Sequence, residues 1–219
     1  DYGSSPGCKR IKCASMNLQV QDLGLCSYKE VWDLQKNIQA DRIAGKDQDT
    51  LLLVEHKPVY TFGKNADKNH LLQHFPKNVK IYHIERGGEI TFHGPGQLVG
   101  YPILDLNNYK KNISWYMRSL EQVIIDTLNL YGLEAIRKDG LTGVWIGDEK
   151  IAALGVRISR WVTMHGFALN VNTNLDYYDG IIPCGLLEYG VTSMEKLFNY
   201  KINMDDMKKN LISCFRNIF

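Results

Sequence analysis

Arg86-Gly87-Gly88-Glu89-Ile90-Thr91-Phe92-His93-Gly94-Pro95-Gly96-Gln97-Leu98-Val99-Gly100-Tyr101-Pro102 sets two glycine clusters on either side of an alternating Ile90/Phe92 run. Glycine adopts positive φ and lets a ligand or another backbone approach closely, so such clusters mark tight turns, bulges or a molecule lying against the main chain. An arginine leads the first cluster and a histidine leads the second. The segment reads as a strand between two turns with hydrogen-bond donors along it, and its density of special residues points to one wall of a binding site.

Upstream of it, Leu18 to Leu23 alternates apolar and polar residues as a half-buried strand does, and Gly24 ends it. Ser27 then caps an amphipathic helix in which Tyr28, Val31, Leu34 and Ile38 recur at spacings of three and four, running to about Ala44 before Gly45. The block Leu51-Leu52-Leu53-Val54 inside Thr50 to Glu55 reads as a central strand buried on both faces. His56 to Gly63 leaves that strand through a turn restricted by Pro58. Lys64 to Asn78 is polar and lacks a sustained period, which predicts a loop with at most one helical turn before Ile81 to Ile84 returns as a strand.

Downstream, Leu98 to Leu106 supplies a strand whose Pro102 implies an edge or a bulge. Ile113 to Tyr131 is the longest helix, stopped by Gly132. Val144 to Ile146 and Lys150 to Ile158 form a hairpin turning at Gly147 to Glu149, and Val162 to Val171 makes a further strand. Asn172 to Gly180 is turn-like, and Ile181-Ile182-Pro183-Cys184-Gly185 is a small apolar cluster broken by proline and glycine. Val191 to Leu197 and Met204 to Phe219 read as helical. Strands interleaved with helices in unequal order, with no internal repeat, argue for an α/β (α+β) protein with a mixed sheet flanked by helices.

A chain of 219 residues, 44% hydrophobic and 11% aromatic, is long enough to bury a real core and reads as one catalytic domain over 18–219 behind a flexible polar segment, 1–17. No apolar run reaches the length that crosses a bilayer, so no membrane partner is expected. A net charge of +2 without a basic stripe argues against nucleic acid. Cysteines at 8, 13, 26, 184 and 214 show neither a disulfide framework nor a zinc spacing, which favours a reducing compartment. His70 and His74 are placed to share a helical face but have no third ligand at a suitable spacing, so no metal is expected. The first residues lack an initiating methionine and are small, polar and basic, as in the remainder of a processed targeting segment or a trimmed terminus.

Cys184 is held in a constrained turn by Pro183 and Gly185, where a side chain can be presented to a cleft. A thiol becomes a nucleophile only when a cation or dipole lowers its pKa, and a lone cysteine among apolar residues is more often buried and inert. Lys150 opens a strand of small apolar residues, Ile151 to Val156, and is a candidate for that cation; beside Asp148 and Glu149 an ordinary solvated lysine is the commoner outcome. His93 and His165 are the other possible bases, or bond only to main chain. Arg86 either binds an anion or pairs with Glu85 or Glu89. Trp145, Trp161, Phe167 and the Ala152-Ala153 run suit a narrow apolar channel or plain core packing.

Three blocks together resemble the lipoate-protein ligase B type octanoyltransferases: Arg86 to Pro102; Gly143 to Gly147 with Lys150 to Gly155, then Arg160 to Thr163 and His165 to Val171; and Ile182 to Gly185 with Val191 to Ser193. Glu55-His56, Pro58-Val59 and Thr61 match a weaker upstream motif, so the resemblance covers about Leu18 to Leu197. It implies the fold of the biotin and lipoate protein ligase catalytic domain and a Cys/Lys dyad, Cys184 and Lys150. It further implies that an acyl pocket is lined by Arg86, Gly87, Gly88, Glu89, Ile90, Thr91, Phe92, His93, Ala153, Leu154, Gly155, Gly166, Phe167 and Ala168. The implied reaction moves octanoyl from octanoyl-acyl carrier protein through a Cys184 thioester to a lysine amine of a lipoyl domain, on 2-oxoacid dehydrogenase E2 subunits or the glycine cleavage H protein. No cofactor and no ATP are implied, because the acyl group arrives activated. An ATP-dependent lipoate or biotin ligase of the same fold, or a non-catalytic binder of lipoyl domains, are the alternatives. The composition and the ragged start favour an organelle, plastid or apicoplast or mitochondrion, with the bacterial cytoplasm as the alternative.

Overall fold

The computed structural model describes residues 18–72, 75–182 and 189–219. In chain order its elements are β1 (Gln19–Cys26), α1 (Tyr28–Ile43), β2 (Thr50–His56), β3 (Val59–Phe62), β4 (Lys80–His83), β5 (Ile90–His93), β6 (Gln97–Ile103), α2 (Ile113–Asn129), β7 (Val144–Ile146), β8 (Glu149–Ser159), β9 (Val162–Asn170), β10 (Gly190–Val191), α3 (Met194–Phe198) and α4 (Met204–Ile218). A large mixed sheet runs β1-β2-β6-β9-β8-β10 with β7 also paired to β8, and a small sheet runs β4-β3-β5.

The all-apolar block of β2 is buried because it lies inside the large sheet, parallel to β1 on one side and antiparallel to β6 on the other. One face of that sheet packs on α2 and α4, where Leu120, Val123, Ile124 and Leu128 meet Leu211 and Phe215. The other face carries Val99, Tyr101, Ile103 and Ala168 against Val31 and Ile38 of α1. Asn112 caps α2 by accepting the Trp115 amide at 2.8 Å, and Gly132, at φ +76°, lies just past its end. The small sheet has its own cluster of Tyr60, Phe62, Ile90, Phe92 and Ile181.

Several expectations change on folding. Gly24 does not end β1; it sits at φ +61° in a bulge between Asp22 and Leu25, and the strand continues to Cys26. The turn expected after His56 is short, and Val59–Phe62 is a strand of the second sheet. Pro102 lies on an interior strand, contrary to the edge reading: it pairs with Leu51 of β2, while the ladder to β9 stops at Gly100 opposite Phe167. There the Thr163 hydroxyl donates to the Pro102 carbonyl at 2.7 Å, and pairing resumes as the Thr163 amide meets Leu104. Proline is tolerated because the ladder is already open at its missing N–H. Val191 belongs to β10, and the helix expected from it begins only at Met194.

The opening in the ladder rests on a close backbone approach. A Cβ on Gly166 would stand 2.2 Å from the Gly100 carbonyl oxygen and 2.7 Å from Pro102 Cδ. Gly166→Ala is therefore expected to lose about 2 kcal/mol or more of stability. Gly45→Ala, with nothing within 4 Å of its Cβ and only a φ of +71° against it, should lose about 1 kcal/mol. Urea unfolding of the two variants compares them, and equal losses would rule out the close approach as the cause.

Candidate active site

Where the small sheet meets β8 and β9 the chain forms a half-open cavity of about 240 Å³. Arg86, Gly88, Glu89, Ile90, Thr91 and His93 line it from the first motif, Ala153, Leu154 and Gly155 from β8, and Gly166, Phe167 and Ala168 from β9, with Lys150 also on the wall. The residues that the motif blocks single out are thus brought together from distant parts of the chain. Two are not on that wall. Phe92 turns into the small-sheet cluster, stacked on Tyr177 with centroids 4.4 Å apart, because it must fill the space under β3. Gly87 uses its backbone for docking: its amide donates to the Val156 carbonyl at 3.1 Å. Ala152 and Trp145 belong to the core, as plain packing predicts, and Ala153 alone of the Ala152-Ala153 pair faces the cavity.

Sequence reasoning passed over Tyr28, Val99, Tyr101 and Gly140-Leu141-Thr142, which also line the cavity. Val99 and Tyr101 lie in the quoted stretch, where strand alternation sets them on the face of Ala168. Tyr28 opens α1 and stacks on His93 with centroids 5.9 Å apart, a contact without a local signal.

Lys150 is nearly buried, and its ammonium lies 4.7 Å from the centroid of the Trp145 ring. A cation over an indole face is attracted by the ring's quadrupole, which holds the side chain in place. The loop beside it is fixed from α2: buried Glu121 accepts from Arg118 at 2.8 Å, Arg137 at 3.0 Å and the Gly143 amide at 3.1 Å. Gly143 leaves room for the lysine, since a Cβ there would be 2.7 Å from Lys150 Cε. β10 pairs Val191 with Lys150, and the Thr192 amide donates to the Lys150 carbonyl at 3.0 Å. Cys184 and its flanks Pro183 and Gly185 lie outside the described residues, as does His74; of the approaches to Cys184, Ile182 donates its amide to the His70 carbonyl at 2.8 Å.

At the other end the polar groups form a chain. The Arg86 guanidinium donates to the Thr61 carbonyl and hydroxyl, both at 2.9 Å, and to the Gly87 carbonyl at 3.0 Å. Its two acidic neighbours in sequence have partners of their own: Glu85 accepts from Arg157 at 3.1 Å, and Glu89 faces His70 Nδ1 at 3.1 Å. The Thr61 hydroxyl faces His93 Nε2 at 3.5 Å, and Nδ1 on the far side meets Gln97 Oε1 at 2.8 Å. Gln97 donates on to Asn170 Oδ1 at 2.9 Å, and Asn170 Nδ2 donates to the Thr192 carbonyl at 3.1 Å. One polar chain therefore links the first motif to the strand beside Lys150. Among the described residues no group of histidine, cysteine and acidic side chains could hold a metal ion.

The three histidines at this end are kept neutral. Burial lowers His56 to about 4 and His165 to about 3, and burial with His56 close by holds His93 well below the usual imidazole range. Neutral His93, with Nδ1 committed to Gln97, is a poor free base.

The Lipoyl protein ligase A/B catalytic domain family model matches residues 27–216. An octanoyltransferase of Gloeobacter violaceus is 55% identical over 164 residues, 74% of this chain and 73% of its own. One from Christiangramia forsetii is 46% identical over 223 residues, 92% of this chain and 95% of its own. The fold is shared with a lipoate-protein ligase A solved with ATP, at a TM-score of 0.70, 14% identity and coverage of 94% and 85% of the two chains. It is shared more distantly with the biotin protein ligase of Aquifex aeolicus, at 0.56, 11% and coverage of 91% and 69%. The chain belongs to the lipoyl protein ligase A/B catalytic domain family, and within it to the octanoyltransferases.

Because His56, His93 and His165 hold folded-state pKa values below the unfolded 6.5, the unfolded chain binds protons first as pH falls. Their contribution is fully present above pH 6.5 and is lost as pH falls toward about 4 for His56 and about 3 for His165, by up to about 1.4 kcal/mol per pH unit for each group. Ring signals of these three histidines should stay flat from pH 8 to about 5.5 in NMR titrations of the folded protein. Titration of any of them near 6.5 would contradict the burial.

Proposed function

We propose that this chain transfers an octanoyl group from octanoyl-acyl carrier protein to the lysine amine of a lipoyl domain, with Cys184 as nucleophile and Lys150 as its proton partner. The Cys184 thiolate attacks the donor carbonyl, the carrier's thiolate leaves and takes a proton, and the octanoyl group is held as an enzyme thioester. The acceptor amine then attacks that thioester, forms the amide, gives up a proton and releases Cys184 as thiolate. Lys150, as ammonium, lowers the thiol pKa in the first half and passes the proton between leaving thiol and incoming amine.

The observation that carries this reading is the cavity itself: a narrow space with a lysine on its wall, lined by backbone and small residues of the motif blocks. Its volume of about 240 Å³ suits a slender acyl chain better than a nucleotide, since sites for drug-sized ligands run from roughly 300 to 1,000 Å³. The pairing of Val191 with Lys150 supports the dyad, because it anchors the chain just after the Cys184 segment to the lysine's own strand. Small carrier domains as donor and acceptor fit transient docking, with lipoyl domains of E2 subunits or the glycine cleavage H protein as the acceptors.

Incubation with octanoyl-acyl carrier protein should add the mass of one octanoyl group to Cys184, without ATP, and Cys184→Ala should show neither adduct nor transfer. Lys150→Ala should slow acylation by about 100-fold or more. His93→Ala should slow turnover yet still acylate Cys184. ATP-dependent transfer with no adduct would overturn this reading in favour of a ligase.

A further inference from the structure

The cavity floor is built from the β8–β9 ladder, and its side chains follow from the register. Ala153 lies opposite Ala168, which pairs on its other side with Val99 of β6, and Gly155 lies opposite Gly166 two positions further along the same face. Ile151 and Ala152 belong to the core cluster under α2 and α4, and Leu154 and Val156 pack against it. Ala153 and Gly155 are therefore the positions between Lys150 and Val156 on the cavity face of β8, and Ala153 keeps a partly exposed side chain there. The same face of the sheet carries Leu52, Val54 and Ile103 where it packs on α1, and shrinks to alanine and glycine on β8 and β9 where the cavity lies.

Past Ala153 the floor is covered. A Cβ on Gly155 would stand 2.8 Å from the Gly87 carbonyl oxygen and 3.1 Å from Arg86 Cδ, so the Arg86–Gly87 turn lies directly over that residue. The Gly87 amide holds the turn there by donating to the Val156 carbonyl at 3.1 Å. Ala153 is three positions from Lys150 along β8, or roughly 10 Å at the rise of a strand, and Gly155 is roughly 17 Å away. An extended chain advances about 1.2 Å per bond, so the seven carbon–carbon bonds of an octanoyl group reach about 8 to 9 Å. A chain that starts at the lysine end thus finishes over Ala153, short of the turn.

We propose that Ala153 is the specificity-determining residue for acyl length. Its single methyl, set against Ala168, leaves room for the last two carbons of an octanoyl chain, and a larger side chain at that position would occupy the same space. The inference rests on the acyl-transfer reading above.

The test sets hexanoyl and octanoyl groups, loaded on the same carrier protein, in competition in one reaction, and reads the ratio of the two products on the lipoyl domain by mass. The wild type should favour octanoyl by about tenfold, the scale of two more buried methylenes. Ala153→Leu puts three more carbons over the floor and should erase that preference, raising the hexanoyl-to-octanoyl ratio by about tenfold. Ala153→Val, whose branched side chain suits a strand, adds two carbons and should give a smaller shift of the same sign; it serves as the reading if the leucine variant does not fold. Because the ratio is taken within each variant, a general loss of rate cancels. Wild-type transfer with the same ratio in the folded variants, or loss of both chains in them, would overturn the role of Ala153 alone. No transfer of either chain by the wild type would overturn the acyl-transfer reading with it.

Discussion

The site depends on one buried guanidinium. Arg86 is 8% exposed, and a charge so placed must have its donors met. It meets them on Thr61 of β3 and on the Gly87 carbonyl, which stitches the small sheet to the loop that enters β5. That loop in turn reaches the large sheet through the Gly87 amide and Val156. The seam tolerates no side chain: a Cβ on Gly155 would stand 2.8 Å from the Gly87 carbonyl oxygen and 3.1 Å from Arg86 Cδ. Hydrogen bonds from a charged group are each of order 1.5–3 kcal/mol, so the arginine is enough to set how the two sheets meet. The cavity is the space left beside that meeting.

From Arg86 the same constraint propagates to the chemistry. Thr61, His93, Gln97 and Asn170 hand hydrogen bonds along to the Thr192 carbonyl, and Thr192 bonds the main chain of Lys150. The lysine is positioned from the other side by Trp145 and by the Gly143 backbone, which Glu121 of α2 holds. A polar chain of this kind is rigid only if each member is satisfied, and His93 meets that through Gln97 and Thr61, while the proposed proton transfer falls to Lys150. The first motif thus shapes the cavity, and the proposed chemistry falls at its lysine end.

Much of this was legible in the residues. The alternation of Ile90/Phe92, the apolar block Leu51–Val54 and the period of α2 each fixed an element, because burial on one or two faces leaves that pattern directly. The separation into two sheets was not legible: Val59–Phe62 is four residues behind a proline, and only its pairing with β4 and β5 makes it a strand. The β8–β9 hairpin turns on Arg160 and Trp161, both at positive φ, where turn chemistry would have called for asparagine and glycine. Pro102 misled because its acceptance depends on a gap in the ladder to β9, a tertiary fact. At the site, motif resemblance found the cavity wall, but strand direction decided that Phe92 faces the other way and that Tyr28, from a distant helix, closes it.

The acyl-transfer reading places the acyl chain between the small sheet and β8–β9. A crystal structure of the protein trapped with an octanoyl group on Cys184 would show that chain outright. Its density should run past Lys150 along Ala153 and Ala168 toward His165. Density running instead into the opposite face of the large sheet, against α2 and α4, would refute the assignment of the cavity.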